Sequence, residues 1–302
     1  MHVHRSAAGL AVHAPAKLNL FFEVLAKRQD GYHEIETLMC PIDLYDTLHF
    51  QEDAAGQITL KCERVLPACS SSGCGLEEVP DGPENLVVRA VELLRRKSGC
   101  SRGAKLRLVK RVPAAAGLGG GSSDAAAALL IANEGWQLGY SREELVRWAA
   151  ELGSDVPFFL VGGPAVCQGR GEHITPIEGI EQLHFVVVRP PEGLSTASVY
   201  RACRPAEQPQ SVWSFVEALR KGNWDQVGRG LLNRLQPAAE ALSPWMEQLR
   251  KEFAEQDFLG HGMSGSGTSY FGLCRHARHA RRCARRFQDR GLGAVFVVRS
   301  CR

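Results

Sequence analysis

Residues 113–128 read Pro-Ala-Ala-Ala-Gly-Leu-Gly-Gly-Gly-Ser-Ser-Asp-Ala-Ala-Ala-Ala. Gly117, Gly119, Gly120 and Gly121 leave little side chain between the backbone and whatever approaches it. Ser122 and Ser123 supply capping chemistry, and the alanine run from Ala125 favours helix. Bare N–H groups feeding a helix N-terminus form an anion site, because unpaired donors and the macrodipole point the same way. The anion such a loop suits is a polyphosphate. It is not a Walker A loop, since no lysine precedes Ser122. It is not a Rossmann turn either, because Ser122 stands where the third glycine belongs and the loop comes late in the chain. His-Arg-Asp and Asp-Phe-Gly motifs in a protein-kinase context are also missing.

Other residues could act opposite such a loop. Asp155 lies at a helix end between Gly153 and Pro157, which fixes its direction; it reads as a proton acceptor or as a turn aspartate. Lys17 sits in an apolar strand-like run, where an unpaired ammonium is costly. Either it snorkels to water or a carboxylate relieves it, with Asp155 the natural partner. Asn19, two residues on, faces the same side. Tyr32 and His33 place flat rings beside the Asp30-Gly31 turn, which suits a nucleobase or plain core packing.

The elements that must position these groups form a mixed pattern. Strands are predicted over residues 10–13, 18–25, 47–51, 57–62 and 105–110, and a helix over 84–97. Helices follow over 122–134 and 141–152, the latter opened by the Ser141–Glu144 capping box. Strands resume at 165–168, 184–189, 269–274 and 294–299, with helices over 211–219, 224–230, 243–253 and 276–287. The result is an α+β chain in two lobes, whose two glycine-serine clusters face a shared cleft.

With 302 residues, 44% hydrophobic and 23% charged, the chain has ordinary globular composition. Its formal charge of +3 is weak support for nucleic-acid binding. No run of about 18 apolar residues suggests a membrane span, and the start lacks the apolar core of a secretory signal, so a cytoplasmic setting is expected. The 10 cysteines then default to thiols. Cys62, Cys69 and Cys74 cluster but lack the spacing and fourth ligand of a zinc site, and no protein-held metal is expected.

The core Gly117-Leu118-Gly119-Gly120-Gly121-Ser122-Ser123-Asp124-Ala125-Ala126 resembles the signature loop of the GHMP kinases, the galactokinase, homoserine, mevalonate and phosphomevalonate kinase family. Pro15-Ala16-Lys17-Leu18-Asn19-Leu20 resembles that family's first motif and Met263-Ser264-Gly265-Ser266-Gly267-Thr268 its third, in the family's order. The resemblance implies a two-lobed α+β fold with a central cleft. Residues 1–170 would form an N-terminal ATP-binding lobe like domain 2 of ribosomal protein S5, and residues 171–302 a ferredoxin-like C-terminal lobe. Arg28-Gln29-Asp30-Gly31-Tyr32-His33, Glu84-Asn85-Leu86 and Gly153-Ser154-Asp155-Val156-Pro157-Phe158-Phe159 resemble members whose acceptor is a cytidine diphosphate-linked polyol.

By that likeness the substrates are small molecules, ATP with Mg²⁺ as a complex and the polyol, with no tightly bound cofactor. Asp155 would be the base and Lys17 the second catalytic residue. ATP would meet Pro113, Ala114, Ala115, Ala116, Gly117, Leu118, Gly119, Gly120, Gly121, Ser122 and Ser123, with Asn85 and Lys110 near its base and the loop approach. The acceptor would meet Asn19, Tyr32, His33, Tyr200, Gly265 and Ser266. A monomer or weak homodimer is expected, with no nucleic-acid or membrane partner. Asn233-Arg234-Leu235-Gln236-Pro237 departs from the family's usual Asn-Asp-Leu-Glu-Pro, which puts local contacts there in doubt. Two rival readings are another GHMP kinase of homoserine or mevalonate type, and a non-catalytic nucleotide- or RNA-binding protein. The second rests on the seven arginines of residues 275–290, which otherwise read as the solvent face of an amphipathic helix.

Overall fold

In the computed structural model, which describes residues 1–6, 9–65 and 79–301, two long strands carry the first half of the chain. After β1 (Val3–Ser6), β2 (Gly9–Lys27) and β3 (His33–Asp53) pair antiparallel along nearly their whole length. Three register shifts interrupt the pairing, one of them between Pro15 and Ala16, as expected where proline cannot donate to a ladder. β4 (Ile58–Arg64), α1 (Leu86–Ser98) and β5 (Gly103–Lys110) form a parallel unit, with β5 joined to β3. α2 (Gly120–Gly135), α3 (Arg142–Ala149) and α4 (Val156–Val161) follow, then β6 (Ala165–Gly169) on β3 and β7 (His173–Pro176) on β6.

The second half opens with β8 (His184–Arg189), α5 (Thr196–Ala202), α6 (Val212–Arg220) and α7 (Trp224–Gly230). The short β9 (Leu232–Asn233) returns to the first sheet and pairs with β2. Then come α8 (Gln236–Leu242), α9 (Pro244–Ala254), β10 (Gly260–Met263), β11 (Tyr270–Cys274), α10 (Ala277–Asp289) and β12 (Ala294–Arg299). The second sheet is antiparallel in the order β10-β11-β8-β12. With helices between β8 and β10 and between β11 and β12, this is the βαββαβ arrangement of ferredoxin-like domains.

Three apolar cores follow from the strand periodicity. Leu10, Val12 and Ala14 of β2 join α1 and α2 in the first. Ala16, Leu18 and Leu20 enter a second core between the two sheets, which turns Lys17 and Asn19 to the opposite face. β8 is apolar from Phe185 to Val188 because both its faces are covered: Phe185 and Val187 enter the second core, while Val186 and Val188 enter a third beneath α8, α9 and α10.

The element types match the sequence reading, but their extents do not. The two strands expected over 10–13 and 18–25 are one strand, and the strand expected at 47–51 begins at His33. β1, α4, β7, α5, β9, α8 and β10 were not expected at all. Cys69 and Cys74 lie outside the described residues; Cys62 is partly buried, and no metal-sized cluster of three His, Cys, Asp or Glu occurs among the described residues. Among the described residues no helix is long and apolar enough to cross a membrane.

Candidate active site

The loop between β5 and α2 enters the helix without a side-chain cap. Gly119, at φ +69°, is the N-cap, so the helix starts at Gly120, two residues earlier than Ser122. A Cβ on Gly119 would come within 2.9 Å of Phe159 and 3.0 Å of Lys17 Cγ, so only glycine lets the loop close over the lysine stem. The helix's first N–H groups therefore have no serine or aspartate oxygen over them, which leaves them for an anion. The second glycine-serine cluster packs directly against this loop. Ser264 Oγ donates to Gly117 O at 2.9 Å, and Ser269 N donates to Ala116 O at 3.0 Å.

Both clusters wall a cleft of about 1030 Å³, at the upper end of the usual range for one ligand of about 300–1,000 Å³. Pro113 through Ser122 line one end, and Tyr32, His33, Phe22, Arg170 and Tyr200 the other. Between the ends lie Lys17, Asn19, Asp155, Gly265 and Ser266.

Lys17 is almost fully buried, and its Nζ lies 3.7 Å from Asp155 Oδ2 and donates to Asn19 Oδ1. Burial pulls its ammonium below the ordinary value, and the Asp155 carboxylate opposes that shift. Lys17 N also donates to Leu118 O at 2.9 Å, which ties the strand to the loop. The orientation of Asn19 is dictated by its surroundings. Thr37 Oγ1 spends its proton on Phe21 O at 2.6 Å, so it can only accept from Asn19 Nδ2 at 2.9 Å, and Oδ1 must face the lysine. Asp155 is the residue before the first turn of α4 and makes no capping hydrogen bond, so its carboxylate is not spent on the helix.

At the far end the His33 and Tyr200 rings lie 5.1 Å apart and tilted by 37°. Burial, then Lys27, lowers the His33 pKa, which keeps the ring neutral near neutral pH. Tyr32 is 54% exposed, and the Arg170 guanidinium sits 5.0 Å from its ring centroid.

Three expected site residues do not line this cleft. Asn85 N-caps α1, accepting from Val87 N at 2.8 Å. Ser123 is fully buried, and its hydroxyl has no partner. Lys110 lies beneath the helix N-terminus, its Nζ 2.6 Å from Asp124 Oδ2 and also bonded to Asp46. Burial pulls the Lys110 ammonium down, but the two carboxylates outweigh it and hold it above its ordinary value. Asp46 Oδ1 also accepts from Val112 N at 2.8 Å, so this buried group braces the approach to the loop.

The departures at residues 234 and 236 now have contacts. Arg234 forms a two-point bond to the fully buried Glu23, at 2.7 and 2.9 Å. Gln236 Oε1 accepts from Met263 N at 3.1 Å, while its amide donates to Glu240 at 2.8 Å. Between them Asn233 Nδ2 donates to Met263 O and Gly265 O, each at 2.8 Å, and so holds the second cluster in place. Sequence reasoning left the contacts of this segment in doubt and did not find that of Asn233, and it overlooked Thr37 and Arg170, which sit in an ordinary strand and turn with no local signal.

A cleft with a capless helix N-terminus and a buried lysine facing a part-exposed aspartate is the architecture of a family that moves phosphoryl groups to small alcohols. Residues 85–163 match the GHMP kinases N terminal domain, and residues 215–292 match the GHMP kinases C terminal. The chain belongs to the GHMP kinases. It is 44% identical over 277 residues to the 4-diphosphocytidyl-2-C-methyl-D-erythritol kinase of Pelotomaculum thermopropionicum, covering 91% of this chain and 92% of that one. A crystal structure of 4-(cytidine 5'-diphospho)-2C-methyl-D-erythritol kinase superposes with a TM-score of 0.78 at 34% identity, over 96% of this chain and 98% of that one. The homoserine kinase of Cytophaga hutchinsonii shares the fold, with a TM-score of 0.75 at 18% identity, over 100% of this chain and 97% of that one.

Proposed function

We propose that this chain is a 4-diphosphocytidyl-2-C-methyl-D-erythritol kinase, moving the γ-phosphoryl group of ATP to the acceptor's 2-hydroxyl in the non-mevalonate isoprenoid pathway. The observation that carries the reading is the order of groups along one cleft: phosphate loop, Lys17–Asp155 pair, then the His33–Tyr200 rings. The names borne by relatives such as the Pelotomaculum and Delftia acidovorans proteins support it.

Phosphoryl transfer asks for alignment, charge neutralisation and a place for the hydroxyl proton. Asp155 takes that proton as the hydroxyl oxygen bonds to the γ-phosphorus and the bond to ADP breaks. Lys17, held by Asn19 and facing the same carboxylate, polarises the hydroxyl. The first N–H groups of α2 receive the phosphates, with Ser122 and the Gly265–Ser266 turn beside them. Mg²⁺ enters with ATP as part of the substrate and neutralises phosphate charge, and the Ser122 hydroxyl is the loop side chain lining the cleft beside it. The neutral His33 ring and Tyr200 bracket the cytosine, an uncharged, flat base.

The test is phosphoryl transfer by the purified protein with Mg-ATP and a panel of alcohols. Transfer to the cytidylyl-methylerythritol at least a hundredfold faster, by kcat/KM, than to homoserine or mevalonate is expected. A preference for either of the latter overturns the assignment.

A further inference from the structure

Of the five arginines on α10, Arg286 donates to Gln256 Oε1 at 2.9 Å, while Arg278, Arg281, Arg282 and Arg285 are exposed and without an ion pair among the described residues. Their neighbours differ: Arg275 is bound at two points by Asp257, and Arg290 is paired with Glu252 and Glu255. The four are spaced three and four residues apart, so each faces a like charge on the same side of the helix. Three of them, Arg278, Arg281 and Arg282, lie in its N-terminal half, where the macrodipole is already positive and the first turn holds no acidic residue. An arrangement this self-repelling is relieved by an anion.

The four border a hollow of about 640 Å³ that shares no lining residue with the catalytic cleft. His279, 3% exposed, also lines it. Its Nδ1 accepts from Arg275 N at 3.3 Å, which puts the neutral ring's proton on Nε2, and that N–H has no acceptor among the described residues. Asp257, the hollow's one carboxylate, is already taken by Arg275. What the hollow presents is therefore a set of donors and cations. From Arg278 to Arg285 they extend about 10 Å along the helix axis. Guanidinium forks match phosphate oxygens two at a time. That length suits two or three contiguous phosphates, and the lining has no Phe, Tyr or Trp on which a nucleic-acid base would stack.

We propose that this hollow is a second binding site, for a small molecule bearing two or more contiguous phosphates. The probe is inorganic tripolyphosphate, added to the full chain at constant ionic strength, with amide hydrogen exchange read peptide by peptide. The local readout separates α10 from the phosphate loop, which also receives phosphates.

Exchange over residues 277–286 is expected to slow at least tenfold. In the Arg281→Ser/Arg285→Ser variant that protection is expected to vanish, while protection of residues 117–124 and the rate of phosphoryl transfer without tripolyphosphate persist. Equal protection of α10 by sodium chloride, equal protection in the variant, or protection by single-stranded RNA but not by tripolyphosphate each overturns the proposal.

Discussion

Replacing Arg234 by Met tests how the strand bearing Lys17 is locked to the segment that holds the second glycine-serine cluster. Glu23 is fully buried and takes both its Arg234 bonds from outside its own strand. Removing one partner of a buried pair costs about 3–5 kcal/mol, because it strands a charge. Here two backbone donors remain, Gln210 N and Val24 N, each at 3.1 Å, and the Arg234 side chain is 28% exposed, so water reaches the vacated space. We expect a loss near the lower bound, about 2–3 kcal/mol, and a fall in Tm of about 5 °C for a chain this size.

The pH dependence carries the sign. In the native protein burial pushes Glu23 up, but Arg234 and the two backbone donors outweigh it and hold the carboxyl below its ordinary 4.5. Its stabilisation is therefore present above 4.5 and fades as pH falls through the lower folded value. In Arg234→Met burial dominates, the folded value rises above 4.5, and the penalty at pH 7 shrinks as pH falls towards that value. Thermal unfolding of both proteins between pH 7 and 5 should show the gap narrowing, and Glu23→Gln added to Arg234→Met should recover part of the loss. A gap independent of pH, with the second change adding to the damage, would refute a buried unpaired carboxylate as the cause.

Asp155→Asn removes the proton acceptor and should lower kcat by about 10²–10⁴-fold with ATP affinity unchanged by titration calorimetry; turnover near the native rate would sink the base assignment. His33→Ala should raise the KM for the cytidylyl acceptor about tenfold, as expected for one lost base contact, and leave the KM for ATP alone. Equal changes in both would count against a nucleobase pocket. Gly117→Ala should weaken ATP binding at least tenfold, because at φ +72° its Cβ would stand 2.1 Å from Ser264 O and push the two clusters apart. Native affinity in a calorimetric titration would contradict that packing.

Residues whose chemistry is local were readable from their neighbours. The glycine loop, the capping box on α3 and the alternation of β5 all follow from short-range patterns. Strand lengths were not, because Pro15 and Pro41 read as breaks while the sheet accommodates the first at a register shift and pairs the second with Lys17. The start of α2 was misplaced since Ser122 and Ser123 look like caps, whereas left-handed Gly119 ends the loop first. Lys110 and Asn85 have polar side chains suited to a nucleotide, but Asp46 and Asp124 claim the first through contacts 64 and 14 residues away, and the second caps the N-terminus of its own helix α1. Arg170 reaches Tyr32 from a neighbouring turn, a juxtaposition only the sheet creates.

The core between the sheets has a consequence for how the protein can be divided. Leu18 and Leu20 of β2 share it with Phe185, Phe271 and Phe296 of the second sheet, and β9 crosses back to pair with the strand that carries Lys17. Separating the lobes would bare the apolar surface of this shared core on both, whatever the first core keeps within the first half. A clamshell hinge between the sheets would have to break that shared core. The molecule should melt in one step, and a gene cut between the sheets should yield two insoluble fragments that regain activity only when folded together.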